Sequence, residues 1–588
     1  MPTSRKDDPR ISISAINAGN IFWPGIDPGM YRLADEDIAP QVLPCPVDVD
    51  AVIVSTGVEH RHHLTDYMTR HERFRTFSAG IVFRSLIVAA EDIHIKGSIV
   101  TVKGKFLVNG PSGLRIINRL SRARSAKRVR KLADIVASFA ERHRTNRMDL
   151  PFADPSDRDR DLIVVAKNLF NFYHFTRETM PLLTLYQDYN LTGRIIIHAQ
   201  NGTAAAFVRD EIDRFFPELA ERVVLSTGEL RSPRALLPLD ARLLYYQVSD
   251  DCMPSFHALT KKSWMWEDRT LGERNLKTLG MNSCETALIA LRERVLQRVA
   301  ATRSPADVPA RPRRLYVARR PGRRPRAVGQ EELLIAALTA LDFEVIHFED
   351  HDVLTQARLV SEAEVIVTAH GAGLTNMLYA PPGCLVVEIS TLQIAMLRFG
   401  DFSPLALVSR ARYLHFFTDH DWPDQESIPD YDLHSLVGSQ LDAAGIGILR
   451  SLVIAHLDPL RHAQTMAAAA QLNTEGPGDA LADFLAQHFD TMLHEPDAHV
   501  WAANCAASRS RPKEALQHLM QAARLAPQRR ALLERAILLA HRLKASGDFA
   551  SLAFGYFRYH REFAVAFFAK RKWDADPYVA TPDPDITP

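Results

Sequence analysis

Cysteine is scarce in this sequence. The chain of 588 residues contains five cysteines, and no two of them form a CxxC pair. Neither a zinc motif built on thiolates nor a framework of disulfides is therefore indicated, and this usage fits a reducing cytosol.

Long apolar runs are also missing. No stretch of 18 apolar residues occurs, which predicts that no helix spans a membrane. The N-terminal residues MPTSRKDDPRISIS lack the apolar run of a signal peptide. We expect a cytoplasmic protein that meets any membrane-linked substrate peripherally, at the inner face of the membrane.

A surplus of charge is missing as well. Lys plus Arg number 71 and Asp plus Glu number 70, so the formal charge of +1 gives no reason to expect nucleic acid as a partner. Residues 119–131, RLSRARSAKRVRK, are a local exception with seven basic side chains. They form either a solvated helix start or a patch that binds anionic lipid or a polyanionic glycan.

What is present is a repeated alternation of strand and helix patterns. It runs over 161–227 and again over 314–389, after a linker rich in Pro, Ala and Arg. This order predicts two α/β units with parallel sheets. The predicted domains are an irregular lead-in (1–49), an N-terminal Rossmann-like domain with a β-rich start (50–300), a C-terminal Rossmann-like domain (310–440) and a helical tail (475–570).

Three local predictions complete this outline. Residues 85–108 predict two or three strands, with turns near Glu91-Asp92 and Lys96-Gly97. Residues 171–187 predict one helix. The HRHH run at 60–63 predicts a solvated turn, because no acid or cysteine stands near it at metal-ligand spacing.

The tail has the spacing of a helical repeat. Ala515 and Ala522 are seven residues apart and Pro527 follows, as in the second half of a tetratricopeptide unit. Residues 533–560 are consistent with a degenerate neighbouring repeat. The alternative is an unrelated helical hairpin.

The sharpest motif is EVIVTAHGAGLTNMLYAPPGCLVVEI, over 364–389. A buried strand leads directly into a glycine-rich turn, and a helix follows. Such a turn places backbone N–H groups and a helix N-terminus where a phosphate can bind. Gly371 and Gly373 allow close approach of the phosphate, and Glu388, at the end of the next strand, can accept hydrogen bonds from a ribose. The alternative is an ordinary strand–turn–helix unit.

This motif resembles the signature of glycosyltransferase family 61. The segment LYVARRPGRRPRAVGQEELLIAAL (315–338) is similar to the family's arginine-containing loop, although Ala318 replaces the usual Ser and Gln330 the usual Asn. The segment NLFNFYHFTRETMPLLTLY (168–186) is similar to the family's Asn-x-x-His helix. The resemblance covers roughly residues 160–415.

The resemblance implies an inverting, metal-independent GT-B enzyme, in which two Rossmann-like domains face a cleft. It implies a nucleotide-sugar donor, usually UDP-linked, with no metal and no resident cofactor. The implied donor-binding residues are Arg319, Arg323, Arg324, His370, Gly371, Ala372, Gly373, Leu374, Thr375, Asn376 and Glu388. Electrostatics agree, because a diphosphate leaving group in a metal-free site needs arginine and backbone donors.

Two residues on the family's Asn-x-x-His helix are candidates for the general base. His174 and Glu178 are four residues apart, so a helix places them on one face. We expect one of them to be the base and favour Glu178 slightly. The alternative is that both only cap and brace the helix. If neither is the base, the acidic pairs at 250–251 and 267–268 are the next candidates.

The sequence thus predicts a bacterial-type glycosyltransferase of exopolysaccharide or capsule assembly. The donor is expected against residues 310–420, and a glycan or lipid-linked acceptor against 50–300. The tail is expected to bind a protein partner or to pack on the enzyme. One alternative is a catalytically inactive glycan-binding or scaffolding protein on the same fold. The other is a nicotinamide-dependent oxidoreductase, against which the missing GxGxxG fingerprint argues.

Overall fold

A computed structural model describes most of the chain. The described residues are 15–36, 41–43, 50–74, 80–110, 113, 134, 149–200, 203–240, 281–304, 309, 311–320, 327–424 and 427–579. The basic segment at 119–131 lies outside them, so neither interpretation of it is tested.

The β-strands are numbered in chain order. They are β1 (Met30–Arg32), β2 (Gln41–Leu43), β3 (Asp50–Ile53), β4 (Gly80–Phe83), β5 (Ser85–Lys96), β6 (Ile99–Val102), β7 (Lys105–Phe106), β8 (Leu162–Val165), β9 (Ile195–Ala199), β10 (Val223–Thr227), β11 (Glu229–Asp240), β12 (Ser283–Glu285), β13 (Arg313–Val317), β14 (Val328–Gly329), β15 (Glu344–Ile346), β16 (Ala363–Ala369), β17 (Leu385–Thr391), β18 (Arg412–His420) and β19 (Ser439–Gln440).

The α-helices are numbered in the same way. They are α1 (Val58–Phe74), α2 (Phe172–Glu178), α3 (Pro181–Asp188), α4 (Ala206–Phe215), α5 (Thr286–Thr302), α6 (Glu331–Thr339), α7 (Val353–Ser361), α8 (Leu392–Arg398), α9 (Ser403–Ser409), α10 (Tyr431–His434), α11 (Ala443–Leu457), α12 (Pro459–Glu475), α13 (Asp479–His488), α14 (Pro496–Ser508), α15 (Pro512–Leu525), α16 (Arg530–Arg542), α17 (Ser546–Tyr559) and α18 (Arg561–Arg571).

The N-terminal sheet is mixed, not wholly parallel. Its strand order is β10-β9-β8-β11-β5-β6-β7, with β1 paired to β5. Strands β10, β9, β8 and β11 run parallel, whereas β11-β5, β5-β6 and β6-β7 are antiparallel pairs. The predicted α/β unit is therefore the half that contains β8 to β10, and antiparallel strands extend it.

The first hundred residues differ from the prediction in two ways. Strands β1 and β2 lie inside the expected irregular lead-in (1–49) and pair with β5 and β4. No turn forms at Glu91 and Asp92, because β5 runs through both of them. Asp92 instead takes a left-handed φ of 44°, a conformation that Asp tolerates better than most residues.

Strand β11 is absent from the sequence prediction. Pro233 and Pro238 interrupt its pattern, and proline cannot donate to a sheet ladder. The pairing of β11 with β5 passes over Pro233, which lies opposite the irregular Asp92. A local gap in the ladder thus accommodates the proline inside a long strand.

The C-terminal sheet is doubly wound. Along its parallel core the strand order is β15-β13-β16-β17-β18, which is 2-1-3-4-5 when these strands are counted along the chain. The order reverses between β13 and β16, and ligands of such sheets bind outside the carboxyl ends of the strands at this switch point.

The C-terminal sheet takes residues from beyond its predicted limits (310–440). Strand β3 pairs in parallel with β18, so residues 50–53 belong to this sheet. The sequence prediction had placed them at the start of the N-terminal domain. Helix α11 buries Ile446 and Leu449 in the same core. The wrong limits arose because these elements contact the sheet through pairs of residues that are remote in sequence.

The HRHH run at 60–63 is not a solvated turn. It lies in α1, where His60 and His62 are buried. Asp419, at the end of β18, caps this helix by accepting hydrogen bonds from the N–H groups of Thr56 (2.9 Å) and Gly57 (3.3 Å). A run of polar residues does not show which of them a distant part of the chain will cover.

One apolar core continues between the two sheets. Helix α5 buries Leu288, Leu291 and Val295 along one face. This helix contacts α3 and α4 of the N-terminal half, and α7 and α9 of the C-terminal half. Arg294 donates to the carbonyl oxygen of Phe215 (2.7 Å) on one side, and Arg292 to that of Ala380 (2.7 Å) on the other.

Within the described ranges, no single helix is long and apolar enough to cross a membrane. Helices α11 and α12 reach the necessary length and apolar character only when they are taken together, and the chain bends by 112° at the break between them.

The C-terminal region after α11 is helical. Helix α16 begins 34 residues after α14, at Arg530 against Pro496, and α17 begins 34 residues after α15, at Ser546 against Pro512. Consecutive helices pack on one another from α12 to α18. This region also packs on α1, where the ring of Tyr559 lies 4.9 Å from that of His62.

A buried carboxyl group makes the stability of this fold depend on pH. Glu211 on α4 is fully buried, and the hydroxyl of Thr176 donates to it at 2.5 Å. Burial raises the pKa of Glu211 from 4.5 to about 8. Between these values the folded protein holds a proton that the unfolded chain releases, so the free energy of unfolding falls as pH rises.

We expect Glu211→Gln to raise the free energy of unfolding by up to about 3 kcal/mol near neutral pH and to flatten its pH dependence. Urea unfolding across the pH range measures both effects. The control is Glu332→Gln, which changes an exposed carboxylate on α6. Identical pH profiles for the two variants would contradict the prediction.

Candidate active site

The switch point of the C-terminal sheet brings Arg319 to His370. Both residues follow closely on strands that end at the carboxyl edge, β13 and β16. Arg319 Nη1 donates to the carbonyl oxygen of His370 at 3.3 Å. A half-buried guanidinium therefore stands where this fold binds its ligands.

Glu388 is surrounded by three side chains that bind it. Its Oε1 lies 2.6 Å from His370 Nδ1, the hydroxyl of Tyr413 donates to its Oε2, and His415 Nδ1 lies 3.4 Å from Oε2. Burial alone raises the pKa of Glu388, but the two histidines and the hydrogen bonds hold that pKa below its ordinary value. Glu388 is thus a buried carboxylate.

This geometry departs from the expected role of Glu388. Strand β17 does not end at Glu388 but continues to Thr391, so the carboxylate lies in mid-strand and is 1% exposed. Protein side chains contact both of its oxygens, and its burial keeps it away from a bound ribose. In a parallel strand buried on both faces, a charged residue finds its partners on neighbouring strands.

The side chain of Arg319 crosses closely over Gly371. A Cβ atom on Gly371 would lie 2.5 Å from Arg319 Nη2. The backbone of Gly371 is extended, with φ at 170°, so close approach and not a left-handed conformation explains the glycine. Gly373 is less crowded, since a Cβ there would lie 3.3 Å from the Phe348 ring.

The helix after the glycine-rich turn is a 3-10 helix, Ala372–Tyr379. Leu374, Thr375 and Asn376 are buried within it. The side-chain amide of Asn376 donates to Gln356 Oε1 at 2.9 Å. The side chains of these three predicted donor-binding residues therefore face the interior, because this short helix packs between α2 and α7.

Only the first turn of this 3-10 helix is open to solvent. Ala372 and Gly373 are half-buried. N–H groups in the first turn of a helix have no acceptor inside that helix. They lie beside Arg319 and are the part of the predicted site that an anion can reach.

Two positions of the arginine-containing segment have structural roles. Glu331 accepts a hydrogen bond from the hydroxyl of Tyr316 at 2.6 Å. Gln330 takes a left-handed φ of 59°, which Asn adopts more readily than Gln. An Asn at position 330 would therefore fit this backbone with less strain than Gln.

The predicted helix over 171–187 is two helices. Asn171 caps α2 by accepting a hydrogen bond from the N–H group of His174 at 3.3 Å. Pro181 begins α3. Proline lacks the N–H group that a continuous helix would need there, so the chain breaks between α2 and α3.

A buried ion pair anchors α2. Arg177 Nη2 lies 2.9 Å from Glu285 Oε2, and both side chains are buried. Burial lowers the pKa of Arg177, but the charge of Glu285 overcomes this and the net shift is upward. The pair ties α2 to β12, and α2 in turn contacts the 3-10 helix Ala372–Tyr379.

His174 and Glu178 form a pair on one face of α2, as their spacing predicted. His174 Nδ1 lies 3.0 Å from Glu178 Oε1. Burial alone raises the pKa of Glu178, but the hydrogen bond and charge of His174 bring it below its ordinary value. Glu178 is therefore a carboxylate that orients the imidazole.

A row of aromatic rings joins the two histidines. The ring centres of His174 and Tyr173 are 5.2 Å apart, those of Tyr173 and Phe402 are 5.1 Å apart, and those of Phe402 and His370 are 5.6 Å apart. The hydroxyl of Tyr173 donates to the carbonyl oxygen of Asp401 at 2.8 Å. Two histidine–carboxylate pairs, one on α2 and one at the C-terminal sheet, thus meet at one junction.

Some predicted residues lie outside the described ranges. They are Arg323 and Arg324, together with the acidic pairs at 250–251 and 267–268. Their predicted roles stay predictions.

Phe402, Tyr413 and His415 were not predicted from the sequence. Tyr413 and His415 alternate along β18, and both face Glu388 on the neighbouring strand. Polar residues at a two-residue period inside an apolar run are a signal that could have found them. Nothing local marks Phe402, because its partners are remote in sequence.

We expect Glu285→Ala to lower the free energy of unfolding by about 3–5 kcal/mol, because it leaves the Arg177 guanidinium buried without its main counter-charge. Chemical denaturation measures this loss. The double variant Arg177→Met with Glu285→Leu removes both charges and should recover most of it. A loss under about 1 kcal/mol in the single variant would show that the ion pair does not anchor α2.

Comparison with known proteins gives one finding for this site. A search of curated proteins found no match. Residues 172–387 match the family model described as Glycosyltransferase 61. The match begins at the first residue of α2 and ends one residue before Glu388, so it contains His174, Arg319 and the glycine-rich turn. This part of the chain is therefore similar to glycosyltransferase family 61, which supports a glycosyltransferase.

Proposed function

We propose that this protein transfers a sugar from a UDP-linked donor to a glycan or lipid-linked acceptor, with inversion at the anomeric carbon. The observation that carries the proposal is the meeting of two elements at the carboxyl edge of the C-terminal sheet. One is the switch point with Arg319, and the other is α2 with its His174–Glu178 pair. A site where two α/β units meet supports a GT-B-like architecture, here with one apolar core that continues between the units.

The donor diphosphate binds at the switch point. Negative charge develops on it as the glycosidic bond breaks, and the guanidinium of Arg319 stabilises that charge. The N–H groups of the turn at residues 371–373 add backbone donors. The resemblance to the family implies that Arg323 and Arg324, from the same loop, also bind the diphosphate. With arginine and backbone donors in this role, the transfer needs no metal ion.

The general base is His174, and not Glu178 as the sequence alone suggested. Glu178 has a lowered pKa, so it is a weak proton acceptor, and its Oε2 is buried. With Nδ1 of His174 bonded to Glu178, the opposite ring nitrogen can take the proton of the acceptor hydroxyl. Attack then proceeds on the face of the sugar opposite the leaving diphosphate.

Glu388 serves the donor site indirectly. It holds the ring of His370 through Nδ1, and His370 carries the carbonyl oxygen that Arg319 contacts. Glu388 is therefore a positioning residue for the switch point. The buried Thr375 and Asn376 stabilise the same turn from inside.

The wider assignment follows the resemblance. The acceptor lies against the N-terminal domain, and the product belongs to bacterial exopolysaccharide or capsule assembly at the cytoplasmic face of the membrane. The helical region resembles tetratricopeptide repeats, which is supported by the 34-residue spacing of its helices. It is proposed to bind a protein partner while its α17 packs on α1.

We expect Arg319→Ala to lower the rate of sugar transfer by about 10²–10³-fold, because it removes a donor to the developing charge. Gly371→Ala should act in the same direction, since the new methyl group displaces the guanidinium. UDP release from a panel of UDP-sugars and titration with UDP measure these effects.

The control for both variants is Gly478→Ala, whose added Cβ meets no atom within 4 Å. Wild-type turnover in both Arg319→Ala and Gly371→Ala would refute the donor site. A wild-type protein that binds no nucleotide would instead favour a glycan-binding scaffold on the same fold.

We expect His174→Ala to lose transfer by about 10²–10⁴-fold while it still binds UDP, because the base acts only on the acceptor. Glu178→Gln should lose less, since it only loosens the imidazole. Glu332→Gln is the control. If Glu178→Gln were the more damaged variant, the carboxylate would be the base. Full transfer in both would place the base elsewhere.

A further inference from the structure

Three side chains of metal-ligand type converge where the helical region leaves the C-terminal sheet. His462 lies on α12, and His494 and Glu495 lie in the turn before α14. One ligand atom from each lies within 4.8 Å of the other two. All three residues are half-buried, which leaves the cluster open on one side to water.

The distances in the cluster fit a tetrahedral ion. His462 Nε2 lies 3.1 Å from Glu495 Oε1, and His494 Nε2 lies 3.3 Å from the same oxygen. Around a tetrahedral zinc ion with bonds of about 2.0–2.1 Å, ligand atoms are roughly 3.3 Å apart. Two imidazoles on one such ion have ring centres about 5 Å apart, and these two are 5.0 Å apart.

Ser451 holds the ring of His494 in this orientation. Its Oγ lies 2.9 Å from His494 Nδ1, accepts a hydrogen bond from the backbone N–H group of His494 at 3.0 Å, and lies 3.0 Å from the carbonyl oxygen of Ile448. The serine is buried on α11. Histidines that bind metals are oriented by such a hydrogen bond on the nitrogen that does not face the ion.

An ion pair without a metal is the alternative. It needs an imidazole proton in each of the two contacts with Glu495. A neutral imidazole has a single N–H group, and Nδ1 of His494 lies beside Ser451 Oγ, whose own proton goes to the carbonyl oxygen of Ile448. A divalent cation instead accepts the lone pair of each Nε2 and of the carboxylate, so neither Nε2 needs a proton.

We infer that His462, His494 and Glu495 bind one zinc ion, with water in the fourth position. Two imidazoles and a carboxylate are a common donor set for zinc in proteins. The ion ties the first helix of the C-terminal region, α12, to the turn before α14, and Ser451 joins both to α11. The zinc thus acts as a structural clip at the 112° bend between α11 and α12.

No metal site was predicted from the sequence. His462 and Glu495 are 33 residues apart, in a helix and a turn, and neither lies in a motif with metal-ligand spacing. The clip is also distinct from the proposed donor site, and sugar transfer still needs no metal.

The test uses the full-length protein, stripped with a chelator and titrated with Zn²⁺. We expect one equivalent of zinc to bind, and the melting temperature to rise when it does. In His462→Ala and in Glu495→Gln, binding of this zinc ion should be lost, or its affinity should fall by more than about 100-fold. Ser451→Ala should keep the stoichiometry but weaken binding about 10–100-fold, as expected of an orienting residue.

Two features keep the test decisive. Glu495→Gln preserves the size of the side chain, so it reports on the charged ligand even if His462→Ala misfolds. His488→Ala, on α13, is the control histidine variant and should bind zinc like the wild type. No stoichiometric zinc in the wild type, or unchanged zinc binding in both ligand variants, would overturn the inference and leave an ion pair.

Discussion

The packing of helix α5 between the two sheets is the contact on which the rest of the structure depends. Its apolar face fuses what the sequence presents as two α/β domains into one continuous core. Arg292 and Arg294 point to opposite halves and fix the helix to each. Because burial of a large apolar surface resists separation of the halves, the junction between the sheets is rigid and not a freely opening hinge. The candidate active site is rigid for the same reason, because α2 and the 3-10 helix Ala372–Tyr379 pack on the same core.

This rigidity gives the two histidines their fixed relation. His174 and His370 each have a carboxylate on Nδ1, and the rings of Tyr173 and Phe402 fill the space between them. A site that stabilises a developing charge works best when its groups need not move during the reaction. The pairing of each imidazole with a buried or half-buried carboxylate supplies that preorganisation from both halves of the molecule. The two pairs are alike in geometry, but only His174 lies on the half proposed to bind the acceptor.

The sequence predicted the elements well where a pattern was local. The strand and turn at 364–373 and the one-face spacing of His174 and Glu178 need only neighbouring residues. The prediction was wrong where partners were remote. The burial of Glu388 depends on Tyr413 and His415, and the membership of β3 depends on β18, and no local pattern encodes either. The prediction was also wrong at Pro233. Proline is normally excluded from the middle of a strand, but here the ladder has a gap opposite Asp92, and β11 continues through the proline.

The pairing of β3 with β18 has a consequence for how the chain is made. Ser55, which follows β3, and its partner Asp419 are 364 residues apart. At a synthesis rate of about 5–20 residues per second, roughly 20–70 s separate their emergence from the ribosome. During that interval β3 has no sheet to join, and an unpaired strand is prone to aggregate. A fragment limited to residues 172–387 would lack both strands, so the family-matched segment would not be expected to fold alone.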